Sequence, residues 1–122
     1  PDSLQNIKIG SRRAEFDDRL RIDPKRDIII NKRMASAFFE TNLGSVFSFH
    51  GVDTVVVTGG STSGCVRATV VDSLSRSYRA IVPIECVADK HESPHFANLY
   101  DMAIKYADVI PVEEVLAFMR KY

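Results

Sequence analysis

Cys65 closes the run Thr58-Gly59-Gly60-Ser61-Thr62-Ser63-Gly64-Cys65, in which three glycines and four hydroxyl side chains crowd one short turn. A thiolate, not a thiol, is the attacking species. A cysteine at the start of a helix meets free N–H groups and the positive end of the dipole, both of which favour that thiolate. The same N–H groups can hold an oxyanion. A nucleophile and an anion trap within one turn of backbone suit acyl transfer. Two other readings stand beside this one. A free cysteine is most often an inert buried side chain. A glycine-rich turn before a helix can also cradle phosphate, although neither the Walker pattern nor the spaced Gly-x-Gly-x-x-Gly is present.

Four further residues carry chemistry. Lys32 follows the apolar run Asp27-Ile28-Ile29-Ile30-Asn31 and precedes Ser36-Ala37-Phe38-Phe39. It reads either as a solvated surface lysine or as a cation drawn in to steady a developing negative charge. Lys90, beside Asp89, is either half of a surface ion pair or an anchor for an anionic substrate. His91 and His95 stand four apart with no third ligand pattern nearby, so no metal site is expected. Cys86 has neither a glycine turn nor a helix start and reads as packing.

The elements that must position these residues alternate. Short β-branched runs predict strands at residues 27–31, 54–58, 80–82 and 108–110. Helices are expected from Thr41 as N-cap to about His50, from Cys65 to about Tyr78 with Ala68, Val71 and Leu74 inward, from His95 to Tyr106, and after Pro111. Gly51 has the place of a helix-ending residue. A short exposed helix is expected within residues 11–20, and residues 85–94 read as loop. Strand–helix alternation implies right-handed crossovers and a parallel sheet covered by helices, an α/β fold of three layers, doubly wound. In such sheets function gathers at the carboxyl ends of the strands. Lys32, just after the Ile28 to Ile30 run, the Gly59 to Cys65 turn and the Glu85 to His95 loop all fall there.

The 122 residues allow one domain. Sixteen basic and sixteen acidic side chains cancel, which offers no footprint for nucleic acid. No apolar window is long enough to span a membrane and no signal peptide is visible. Two cysteines in unlike contexts fit a reduced, cytoplasmic protein.

Three segments together resemble a known family. Thr58 to Thr69, reading TGGSTSGCVRAT, closely resembles the nucleophile motif of the isochorismatase-like cysteine hydrolases, in the branch of N-carbamoylsarcosine and maleamate amidohydrolases. Lys32 to Leu43, KRMASAFFETNL, resembles the catalytic-lysine segment. Cys86 to Lys90 with Pro94 to Met102 is similar to the downstream segment of the same branch. The resemblance implies a Rossmann-like, mostly parallel sheet and a Cys–Lys–Asp triad that hydrolyses a C–N bond, amide or carbamoyl, through an acyl-enzyme and releases ammonia. Cys65 would be the nucleophile, and Lys32 would stabilise the thiolate or the developing charge. The backbone N–H groups of Ser61 and Cys65 would form the oxyanion hole, with a cis peptide between Gly60 and Ser61. Gly60, Thr62 and Lys90 would meet a small carboxylated linear substrate. No cofactor is implied, and a homo-oligomer, dimer or tetramer, is. Isochorismatases proper lack the cysteine and act on a vinyl ether, so Cys65 argues against that branch. The runner-up is a nicotinamidase-like amidase, whose metal ligands would lie upstream of these residues. A non-catalytic subunit that keeps the fold for binding or oligomerisation is the reading of another class.

Two departures from the pattern matter. The family's catalytic aspartate belongs on a first strand, upstream of everything here. Asp2, Asp17 and Asp18 lie in the wrong context. Residues 1–122 are therefore expected to be the C-terminal portion of one such domain, inactive alone or paired with a separate N-terminal fragment. The branch also favours arginine where this chain has Lys90, and lysine keeps the charge without the bidentate fork.

Overall fold

In a computed structural model, residues 7–121 are described; Asp2 lies outside them. Valine-rich segments form the centre. β1 (Thr54–Val56), β3 (Arg79–Pro83) and β5 (Asp108–Ile110) make a three-stranded parallel sheet in the order β1-β3-β5. Val55 lies opposite Ala80, and Val82 opposite Val109. Past the carboxyl ends of β1 and β3 the same two chain segments pair again. β2 (Gly59–Gly60) and β4 (Val87–Ala88) are parallel, with Gly59 opposite Val87. This second, short ladder carries the glycine-rich turn beyond the sheet edge.

Helices α1 (Leu43–Phe49), α2 (Arg67–Ser75), α3 (Glu92–Lys105) and α4 (Val112–Met119) alternate with the strands, as the sequence pattern requires. The core is one cluster: Val57, Val66, Val70, Ala80, Val82, Val87, Leu99 and Met102. Met102 and Val82 are fully buried. Met102→Ala removes a large side chain from a close-packed centre and is expected to cost about 2–5 kcal/mol. Thermal unfolding followed by circular dichroism checks this as a drop in Tm. Glu85 adds a local stop, its Oε2 accepting the Val112 N–H at 2.8 Å where α4 begins. Those first N–H groups have no partner within the helix.

Several expectations are corrected. Residues 27–31 form no strand. A strand needs a ladder, and among the described residues only β3 pairs with β1, so Ile28 and Ile29 lie more than half exposed. Residues 11–20 hold only a 3-10 turn at Arg12–Ala14. α1 starts at Leu43 after Asn42, although the Thr41 hydroxyl does accept the Leu43 N–H at 3.3 Å. Gly51 follows α1 with φ +64°, as a helix-ending residue does. α3 starts three residues earlier than expected and takes Pro94 into its first turn, where the absent N–H is not missed.

The buried face of α2 is also rotated. Thr69, Val70 and Ser73 point inward, together with Val66 just ahead of the helix, while Leu74 is exposed. The two buried hydroxyls have partners: Ser73 Oγ donates to the Thr69 carbonyl at 2.8 Å, and Thr69 Oγ1 accepts the Ala37 N–H at 3.1 Å. A polar residue can face the core once it is hydrogen-bonded.

Candidate active site

The turn that carries Cys65 is built by the backbone. Gly59 has φ +104°, a region that side chains disfavour. The bond between Gly60 and Ser61 is cis, as the family resemblance implied. A wide π-type turn then runs Thr62–Val66 and passes directly into α2. Cys65 is thus the fourth residue of the helical backbone rather than its first. The Ser61 carbonyl accepts N–H groups from Gly64 and Val66, each at 3.1 Å, and Cys65 between them is not among its donors. A Cβ at Gly64 would stand 2.7 Å from the Ser61 hydroxyl, which would have to turn away to admit it. Widened turns of this kind recur at functional sites.

Lys32 comes to this turn from 33 residues upstream. Its Nζ donates to Cys65 Sγ at 3.3 Å and to the Met34 carbonyl at 2.9 Å. The loop that carries it is tied down at two points. The Ala37 N–H reaches Thr69, one turn beyond Cys65 on the same helix. Buried Phe38 packs in an aromatic group with Phe47 and Tyr78, at ring-centroid distances of 5.9 and 6.0 Å. Lys32 is solvent-exposed and Cys65 half-buried, so the pair opens to solvent at the carboxyl ends of the strands.

The loop after β4 and the first turn of α3 supply two residues, Asp89 and His95, whose contacts sequence reasoning missed. Asp89 Oδ2 accepts the Ser63 N–H at 2.7 Å, and its Oδ1 accepts the Lys90 N–H at 2.7 Å. Hydrogen bonding by Ser63, through its hydroxyl and then its N–H, holds the Asp89 carboxyl below the usual carboxylate range. Asp89 is therefore ionised at neutral pH. His95 Nδ1 hydrogen-bonds Thr62 Oγ1 at 2.8 Å. The available signal was position alone, polar residues following a strand's carboxyl end.

Thr62 is fully buried against His95, Gly60 is exposed on the short ladder, and Lys90 is exposed beside Asp89. Among the described residues no carboxylate hydrogen-bonds or ion-pairs with Cys65 or Lys32. Asp17 is engaged by Arg19, whose side chain and backbone N–H lower its pKa to about 2. Cys65 and Cys86 are both free thiols. An open groove lined by Phe38, Thr41, Ser48, Arg76 and Tyr78 holds neither Cys65 nor Lys32. No helix among the described residues is long and apolar enough to cross a membrane.

Parallel strands with crossover helices, a thiol on a glycine-rich turn and a lysine held against its sulfur define a parallel α/β protein with a cysteine–lysine site. Residues 4–114 match the model of the isochorismatase domain, and the chain belongs to the isochorismatase family. It is 46% identical over 94 residues to maleamate amidohydrolase of Pseudomonas putida, covering 77% of this chain and 44% of that protein. It is 36% identical over 106 residues to N-carbamoylsarcosine amidase of an Arthrobacter species, covering 87% of this chain and 40% of that one. An isochorismatase-like hydrolase from Alkaliphilus metalliredigens superposes with TM-score 0.85 at 32% identity, over 90% of this chain and 60% of the other. The chain thus spans less than half the length of these two amidohydrolases.

Proposed function

We propose that this chain carries the nucleophile of an amidohydrolase that cleaves the C–N bond of a small, linear, carboxylated amide or carbamoyl compound and releases ammonia. The observation that carries the reading is the 3.3 Å contact between Lys32 Nζ and Cys65 Sγ, made across 33 residues. An amine at that distance lies beside the attacking sulfur and remains in place as charge moves to the carbonyl oxygen. Cys65 Sγ attacks the carbonyl carbon, the C–N bond breaks, and nitrogen leaves as ammonia with a proton. Water then attacks the resulting thioester, giving the acid and restoring the thiol. The N–H groups of Ser61 and Cys65 form the oxyanion hole, and Gly60 and Thr62 shape the floor beneath the substrate. The similarity to maleamate amidohydrolase and N-carbamoylsarcosine amidase supports this chemistry.

The proton acceptor for the thiol and for the attacking water is an aspartate contributed from beyond these residues. Two facts support this: no described carboxylate contacts the pair, and the relatives are more than twice as long as the matched region. The assembly is proposed to be a homo-oligomer located in the cytoplasm. No cofactor is required by the chemistry as written.

Lys90 is proposed to bind the substrate carboxylate, and among the described residues its exposed amine makes no salt bridge. A panel of small amides assayed for ammonia release, on protein that includes the segment supplying the aspartate, tests the reading, with carboxylated compounds expected to turn over best. In Lys90→Ala the KM for those compounds should rise about tenfold or more, since a charge-assisted contact is lost. Neutral amides should be unaffected. An unchanged KM for every carboxylated amide would remove Lys90 from the site.

A further inference from the structure

The proposed reaction leaves Asp89 and His95 unused, yet both hold the nucleophile's turn. Thr62 and Ser63, the residues three and two before Cys65, are each gripped from outside their own helix. Ser63 gives its N–H to Asp89 across 26 residues, and Thr62 bonds His95 across 33. Both partners come from one short stretch, the loop after β4 and the first turn of α3. The second oxygen of Asp89 holds the backbone of Lys90, the proposed substrate anchor.

We propose that Asp89 and His95 are positioning residues that clasp the turn bearing Cys65, and that Asp89 also fixes the spacing between that turn and Lys90. The inference rests on the reading of Cys65 as nucleophile. Its physical basis lies in the turn. The widened path has few bonds of its own: the Val66 N–H reaches the Ser61 carbonyl, which also serves Gly64, and the Arg67 N–H reaches the Thr62 carbonyl. Two bonds from a neighbouring element hold Thr62 and Ser63 where the widened path needs them. The carboxylate also faces the N-terminal end of the helical segment, where negative charge is favoured. Its bond to Ser63 is charge-assisted and short. Thr62 is fully buried, so its hydroxyl needs a partner, and His95 supplies it. A nucleophile misplaced by about 1 Å can lose on the order of a hundredfold in rate.

The test compares Asp89→Ala, Asp89→Asn, His95→Ala and His95→Asn with the parent, each in protein that includes the segment supplying the aspartate, in kcat, KM and the rate of Cys65 alkylation by iodoacetamide. Both alanine variants should lose about 10- to 100-fold in kcat with little change in KM for neutral amides. Asp89→Asn keeps one acceptor for Ser63 and should recover part of the loss. His95→Asn sets an amide near the Nδ1 position and should do the same. Alkylation rates should follow the kcat order. If Asp89→Ala fails to fold, the near-isosteric Asp89→Asn carries the test with an expected loss of a few-fold. Parent-like kcat and alkylation in Asp89→Asn and His95→Ala, with Cys65→Ala inactive, would overturn the clasp alone. Activity retained in Cys65→Ala would overturn the nucleophile reading itself, and the clasp with it.

Discussion

Cys65→Ala is expected to reduce ammonia release by about four orders of magnitude or more, with the fold intact. Loss of a covalent nucleophile has effects of this size, because the remaining groups have nothing to activate. Little stability should go with it. Cys65 is half-buried, and the contact its sulfur makes is with the Lys32 amine, itself in solvent. Removing a partly exposed sulfur leaves no closed cavity. Cys65→Ser should be nearly as inactive, since a hydroxyl in the same place gives up its proton far less readily. Ammonia release and thermal melting measured on the same preparations separate lost chemistry from lost folding. A parent-like rate in either variant would end the proposal that this thiol reacts.

Lys32→Ala should follow at about 10²- to 10³-fold in kcat, the range seen when one donor to a developing charge is removed. The argument rests on how firmly the amine is held. The Met34 carbonyl takes one of its protons at 2.9 Å while another points at Cys65. Phe38 and the Ala37–Thr69 bond fasten the loop to the packed body of the protein. An exposed lysine would ordinarily sample many rotamers, and this one has two partners that select a single reach. Alkylation of Cys65 should slow in the same variant. Lys32→Arg should recover the rate only in part, because a planar fork cannot occupy the place of a compact ammonium. A kcat within a few-fold of the parent in Lys32→Ala would leave the 3.3 Å contact without a catalytic role.

How much of this was legible in the sequence follows from where each interaction lies along the chain. The glycine and hydroxyl turn ending at Cys65 is local, and its residue types announce a tight strand-to-helix connection. The strands at 54–56, 79–83 and 108–110 are short β-branched runs in a strand–helix alternation, and that pattern survives folding. The Ile28–Ile30 run has the same composition without becoming a strand. β-propensity describes fitness for a pleated surface, and a surface needs a neighbouring strand to exist. The inward face of α2 was misjudged for a related reason. Counting apolar residues picked Ala68, Val71 and Leu74, whereas Thr69 and Ser73 are buried because hydrogen bonds found in three dimensions satisfy their hydroxyls.

The site divides the same way. Cys65 stands out by its glycine turn, whereas Lys32 reads equally as a surface lysine, the 27–31 strand expected before it does not form, and only the family pattern joined it to Cys65. Asp89 and His95 were passed over because their partners, Ser63 and Thr62, are 26 and 33 residues away, brought close only when β4 pairs with β2. Lys90 drew notice as a charge, while the carboxylate beside it, which holds both its backbone and the turn that carries Cys65, read as an ion-pair partner.

The covalent intermediate tests the central claim most directly. Brief incubation with a turned-over carboxylated amide, acid quenching and tryptic digestion separate the two thiols, since residues 34–67 carry Cys65 and residues 80–90 carry Cys86. An acyl-enzyme on Cys65 predicts a mass gain equal to the substrate less ammonia on the 34–67 peptide, absent from the 80–90 peptide and lost in Cys65→Ala. Turnover that proceeds with no adduct on 34–67, or that continues in Cys65→Ala, would contradict it.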